Sequence, residues 1–166
     1  VRPERTMTDW KPKQRYNLIS DKRLPYNTHA KNLVDTGASV TGGEQSSFFK
    51  PAAQQAITSA CLLLQAVGQP VNPKRVYQIL TDKGTLEEHF NELLDTDGTD
   101  ENIALAKYFD STFIGAQAAE QKEGIIGTIK VYLGFFMDPD IAEVFCSDEP
   151  NTIDITDVDK GRVFCT

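Results

Sequence analysis

In Phe49–Gly68, FKPAAQQAITSACLLLQAVG, apolar side chains fall at Phe49, Ala53, Ala56, Ala60, Leu63, Leu64 and Val67. Steps of three and four residues keep one face of an α-helix apolar, which the two-residue period of a strand does not do. Pro51 fits only in the first turn of that helix, where its missing N–H is no loss, and Gly68 ends the run. A helix with one apolar face must bury it against other elements.

The same spacing recurs on both sides. Thr28 is placed to cap a helix through Ala30, Leu33, Val34 and Ala38 that Gly42-Gly43 stops. Asn72-Pro73 reads as an N-cap and first helical residue ahead of Val76, Tyr77, Ile79 and Leu80. Thr85-Leu86-Glu87-Glu88 has the form of a capping box, opening a helix with Leu86, Phe90, Leu93 and Leu94. After an acidic turn from Asp95 to Asp100, Ile103, Ala106, Phe109, Phe113 and Ile114 continue the helical period. Ile126, Ile129, Leu133, Phe136 and Met137 do so again, with a bend expected near Gly115 or Gly124, and Asp138-Pro139 opens a short helix through Ile141 and Val144-Phe145. The fold class expected is therefore mainly α, a multi-helix bundle of about six to seven helices.

The two ends read differently. Residues 1–27, with Pro3, Pro12 and Pro25 and little apolar periodicity, are expected to form an extended basic arm; residues 28–147 form the all-helical domain. In residues 148–166, Ile153-Asp154-Ile155 alternates, Asp157 to Gly161 makes a turn, and Arg162-Val163-Phe164-Cys165 reads as a strand. A lone strand needs a sheet, so this pattern points to a larger α/β parent.

Charge is unevenly spread over the 166 residues. Residues 1–32 hold eight basic side chains and three acidic ones, while the net charge of the whole chain is −7. The remaining body is thus strongly acidic and repels phosphate backbones. The basic segment, with Lys11, Lys13, Arg15, Lys22 and Arg23 around Trp10 and Tyr16, is the candidate nucleic-acid contact. The acidic positions Glu87, Glu88, Glu92, Asp95, Asp97, Asp100 and Glu101 are the candidate contact for a basic protein. No apolar stretch approaches the roughly 20 residues a membrane helix needs, and no charged-then-apolar leader follows Val1. Cys61, Cys146 and Cys165 are odd in number, widely spaced and without a CxxC, as expected of reduced thiols in an intracellular compartment.

Catalytic motifs do not emerge. No Gly-rich phosphate loop ending in Gly-Lys-Ser/Thr occurs. Val131 to Met137 followed by Asp138 faintly suggests a strand ending in a magnesium-binding acid, but it scans better as helix plus N-cap. Asp95-Thr96-Asp97-Gly98 suggests a calcium loop, yet with Gly98 sixth the first and twelfth positions are Leu93 and Ala104, so the ligands are missing. His29 and His89 lack partners in ligand spacing, and Ser46, Ser47, Ser59 and Ser111 sit in no nucleophile elbow. Phe48, Phe49, Phe109, Phe113, Phe135 and Phe136 read as helix-packing residues. No catalytic, metal or cofactor-binding residue is expected, and the chain is read as a non-enzyme.

From about Tyr16 onward the order of segments resembles the cytoplasmic part of type IV secretion coupling proteins, the TraG/TraD-like conjugation ATPases. Tyr16-Asn17-Leu18-Ile19 looks like that family's aromatic-Asn-Pro-Leu stretch, with leucine in place of the usual proline. Phe48-Phe49-Lys50-Pro51-Ala52-Ala53 looks like its Phe-Trp-x-x-Ala-Ala helix start. Gly127-Thr128 through Leu133, Phe136, Asp138-Pro139 and Ile141-Ala142 resembles its helix ending in Phe-x-Asp-Pro-x-Val-Ala. Ile153-Asp154-Ile155 with Gly161-Arg162-Val163-Phe164 looks like its return into the nucleotide-binding sheet.

The resemblance implies an all-helical domain inserted in a RecA-like motor, at the cytoplasmic face of the bacterial inner membrane. It further implies a hexameric, membrane-anchored parent that binds ATP and magnesium outside these residues. The domain would select cargo for conjugative DNA or protein transfer: a relaxase, an effector or an adaptor, with DNA reached through the relaxosome. By itself it is expected to be a monomer. A DNA-binding helical fragment acting through the basic arm is the alternative.

Overall fold

α2, Lys50–Ala66, is the hub of the fold. Ala53, Ala56, Ala60, Leu63 and Leu64 are fully buried, as the spacing predicts, and so are Ile57 and Cys61. The buried arc is therefore wider than one stripe, because α2 has neighbours on several sides. It packs against α1 (Tyr26–Thr41), α3 (Pro73–Thr81), α4 (Lys83–Leu94), α5 (Asp100–Phe109) and α6 (Ala119–Leu133). Its alanines let the surrounding helices approach closely, and leucines fill the space beyond. The computed structural model describes residues 14–41, 48–115 and 119–161. Among them are seven α-helices, ending with α7 (Pro139–Phe145), and no strand. No described helix is long and apolar enough to cross a membrane.

Local signals set most helix ends. Pro51 lies in the first turn of α2. At the other end, Gly68 takes φ 71°, a backbone angle that glycine adopts without steric cost. The N–H of Gln69 then reaches the Leu64 carbonyl at 2.8 Å and that of Gly68 the Gln65 carbonyl at 3.1 Å, closing the last turn as a Schellman motif. Asn72 caps α3 by accepting from the Arg75 N–H at 2.9 Å, and Asp138 caps α7 through the N–H groups of Asp140 and Ile141.

Several boundaries differ from expectation. Thr28 is not the cap of α1; the helix starts at Tyr26, and the Pro25 carbonyl receives the N–H groups of Thr28 and His29. The Thr85–Glu88 capping box does not form. Asp82, extended at φ −115° and ψ 114°, accepts from the Thr85 N–H at 3.0 Å and starts α4 three residues earlier. The pattern expected after Ile103 leaves α geometry at Asp110–Ile114, a π-helical turn closed by the Gly115 N–H on the Asp110 carbonyl at 2.7 Å. Phe109 and Phe113, on either side of the start of that turn, both enter the core.

Gly124, a proposed bend, lies inside α6, where a Cβ would come within 2.3 Å of the Phe49 ring. It makes room for that ring. Beyond Leu133 the helix tightens to 3-10 geometry over Gly134–Met137 instead of running on as α. At the C-terminal end, Ile155–Lys160 form a 3-10 helix rather than a strand followed by a turn. The strand expected at Arg162–Cys165 lies outside the described residues.

Candidate functional site

The two flanks of the bundle meet in a polar seam. The Thr152 N–H donates to the Arg15 carbonyl at 2.9 Å, and the Tyr16 N–H donates to the Val144 carbonyl at 2.8 Å. The Arg15 N–H in turn donates to Thr152 Oγ1 at 2.6 Å, and the Asn17 N–H to Asn151 Oδ1 at 2.8 Å. Asn17 is buried in this seam; its Nδ2 donates to the Val71 carbonyl at 2.7 Å and its Oδ1 accepts the Ile19 N–H. Ile19 itself reaches the core. The segment read as an extended arm is therefore, from residue 15 to 19, bound into the bundle.

A second set of bonds ties the loop before α3 to the same flank. The Asn72 side chain donates to Asp148 Oδ1 at 2.7 Å, and Arg75 donates to Asp148 Oδ2 at 2.8 Å. Partial burial pushes the Asp148 carboxyl up, but these hydrogen bonds outweigh it and hold the group below the usual carboxylate range.

The expected basic contact is divided. Lys11 and Lys13 lie outside the described residues. Arg15 is half-buried, paired with Glu149 and lying 3.9 Å from Glu143. Arg23 holds Asp21 in a two-point grip at 2.8 and 2.7 Å, and its hydrogen bonds, from side chain and backbone, lower the Asp21 carboxyl to about 2. Lys22 is exposed. A phosphate at Arg15 or Arg23 would first have to displace a carboxylate already in place.

Most of the acids expected to meet a basic protein are exposed. Glu88, Glu92 and Asp95 follow one another at four and three residues along the outside of α4, all exposed. The turn after it is rigid. Thr96 Oγ1 donates to the Leu93 carbonyl at 2.7 Å, and the Asn102 side chain donates to Thr96 Oγ1 and to the Asp97 carbonyl, both at 3.0 Å. Thr99 caps α5 by accepting the Asn102 N–H, leaving Asp97, Asp100 and Glu101 facing solvent. The positive end of the α5 dipole stabilises Asp100 and Glu101 where they stand. Glu87 departs from the group: it is half-buried and pairs with Lys83 at 3.4 Å. Six of the seven acids are thus exposed along one stretch of chain, an acidic ridge running from α4 to the start of α5.

No family model, curated protein or solved structure matches this chain.

Of the remaining residues singled out from the sequence, Trp10, Gly42, Gly43, Ser46, Ser47 and Cys165 lie outside the described residues, and both histidines face backbone carbonyls. Buried His29 places Nε2 at 3.0 Å from the Asp21 carbonyl, and His89 Nδ1 lies 2.8 Å from the Thr85 carbonyl. Burial pushes the Cys61 thiol up to about 12 and the Cys146 thiol up to about 11, far from the thiolate form. Phe109, Phe113 and Phe136 are core and Phe49 is half-buried, but Phe48 and Phe135 are exposed, contrary to their reading as packing residues. Each keeps ring contact with its neighbour, Phe48 edge-on to Phe49 at 5.0 Å and Phe135 tilted on Phe136 at 4.1 Å, but leaves much of its surface to solvent. Sequence reasoning missed Asn17, Asn72 and Asp148 as the residues that join the flanks; Asn17 lies within the Tyr16–Ile19 motif, which was its one signal.

Proposed function

We propose that the chain is a cargo-recognition domain inserted in a type IV secretion coupling ATPase, with the exposed acidic ridge as its contact for a basic cargo protein. The observation that carries this reading is the seam. A domain inserted into a host fold must leave and re-enter it at neighbouring points, and here residues 15 and 152 exchange backbone hydrogen bonds. The ridge supports the second half of the reading, because its six acids have no ion-pair partner among the described residues to displace. A relaxase, effector or adaptor with a basic face would be steered toward it and gain specificity from it. ATP and magnesium belong, in this reading, to the parent motor at the cytoplasmic face of the inner membrane.

Two measurements test it. The coding sequence on either side should supply a phosphate loop upstream and an apolar strand ending in acids downstream; flanks lacking both remove the motor. The 166-residue chain should also bind a basic relaxase or adaptor encoded beside it, and the triple reversal Glu88→Lys, Glu92→Lys, Asp95→Lys should abolish that binding. Unchanged affinity in the triple variant eliminates the ridge. A duplex-DNA titration at two salt concentrations separates the alternative: phosphate contacts through the basic segment predict affinity falling steeply with salt.

A further inference from the structure

Away from the ridge residues just described, α6 contributes a second exposed feature. Lys122, Ile126 and Lys130 stand four residues apart and so share one side of that helix. They line a groove of about 250 Å³ whose floor is apolar: Ile79, Leu80, Leu86, Phe113 and Ile114. Thr81, Lys83 and the acids Asp82 and Glu123 complete the lining. Asp82 is occupied in capping α4, and Lys83 is held by Glu87 at 3.4 Å. Lys122 and Lys130 have no ion-pair partner among the described residues. The groove thus sets two uncommitted cations against one uncommitted acid, Glu123, beside its apolar lining, on a chain whose net charge is −7.

We propose that this groove docks a short acidic segment of a partner protein, one large apolar side chain entering the floor between two carboxylates that meet Lys122 and Lys130. Its volume argues for a side-chain anchor. Small-molecule sites usually exceed about 300 Å³, so this one holds part of a ligand rather than enclosing a metabolite. The spacing argues for the register. Eight residues of helix separate the two lysines by about 12 Å. An extended peptide covers that distance in about four residues. The segment recognised therefore carries two acids four residues apart with the apolar residue midway. Two of the apolar lining residues, Phe113 and Ile114, come from the π-helical turn.

The test uses the whole chain, isotope-labelled, and a synthetic ten-residue peptide with two glutamates four residues apart and a leucine midway, at low ionic strength. Saturable NMR shifts are expected at the methyl groups of Ile79, Leu86 and Ile126. Reversing both lysines (Lys122→Glu, Lys130→Glu) should weaken affinity about ten-fold or more, and neutralising them (Lys122→Gln, Lys130→Gln) should have an intermediate effect. A peptide with serine for leucine should not perturb those methyls, and one with its acids two residues apart should bind more weakly. Shifts elsewhere, no binding at low salt, or equal affinity for the lysine variants overturns the proposal. Equal binding of the serine peptide, or of a short DNA strand with the same methyl shifts, also overturns it, because the groove would then be a general anion patch.

Discussion

Asp82 ends α3 through its backbone N–H, which donates to the Gln78 carbonyl, and starts α4 through its carboxylate, which accepts the Thr85 N–H. Hydrogen bonds from Thr85, side chain and then backbone, hold its carboxyl below the usual range. Asp82→Ala is expected to cost about 1 kcal/mol, the usual loss for an N-cap, read as a lower urea midpoint. Glu88→Ala, removing the glutamate of the pattern that looked like a capping box, should change that midpoint by far less. Asp148 gives a pH prediction. Its folded pKa lies below the unfolded value, so its contribution is present above about pH 4 and is lost as pH falls through the folded value. Asp148→Asn should therefore lower stability at pH 7, yet lose less of it between pH 5 and pH 3; parallel curves for the two proteins would contradict this. At the thiols, burial of Cys61 and Cys146 predicts that native protein at pH 8 gives no more than one fast-reacting cysteine of the three to a disulfide reagent. Three fast thiols would mean that the described core opens readily.

At the scale of helices, the glycines of two elements separate close contact from open surface. A Cβ on Gly37 of α1 would lie 2.7 Å from Tyr132 Cβ and 3.0 Å from its Cα, so Gly37→Ala must push α1 from α6. A destabilisation of about 1–3 kcal/mol is expected from such overpacking. Gly127, exposed in the middle of α6, has nothing within 4 Å, and Gly127→Ala should stabilise by about 0.5–1 kcal/mol through helix propensity. Thermal unfolding of the two variants checks both signs. Helix existence was legible wherever the signal was local: Pro51, Gly68, Asn72-Pro73 and Asp138-Pro139 each act within a few residues of themselves. The start of α4 was not, because Asp82 and Thr85 both offer an oxygen to the same stretch and only the backbone path decides between them. The π-helical turn was invisible for a related reason. A single extra residue per turn leaves the apolar spacing of Phe109 and Phe113 compatible with ordinary helix.

For the whole molecule, the seam predicts that residues 14–154 can be carried as an insert. Because residues 15 and 152 are hydrogen-bonded neighbours, grafting this segment into a surface loop of a fluorescent host should leave host fluorescence and the helical signal of the bundle intact. Loss of host folding with intact bundle helicity would show that the two ends separate easily. Asn17→Ala, which strips bonds to Val71 and Ile19, should loosen the seam and be felt as protease cleavage near residue 20. By itself the sequence determined the mainly helical fold and the buried face of α2, since each follows from spacing along one element. Only the tertiary structure decided that the flanks converge, that Arg15 is engaged by Glu149, and that Lys122, Ile126 and Lys130 border a groove with residues of α3 and α4. Those relations join residues far apart in the chain, and which helix faces meet is settled by packing across the bundle, to which no local pattern responds.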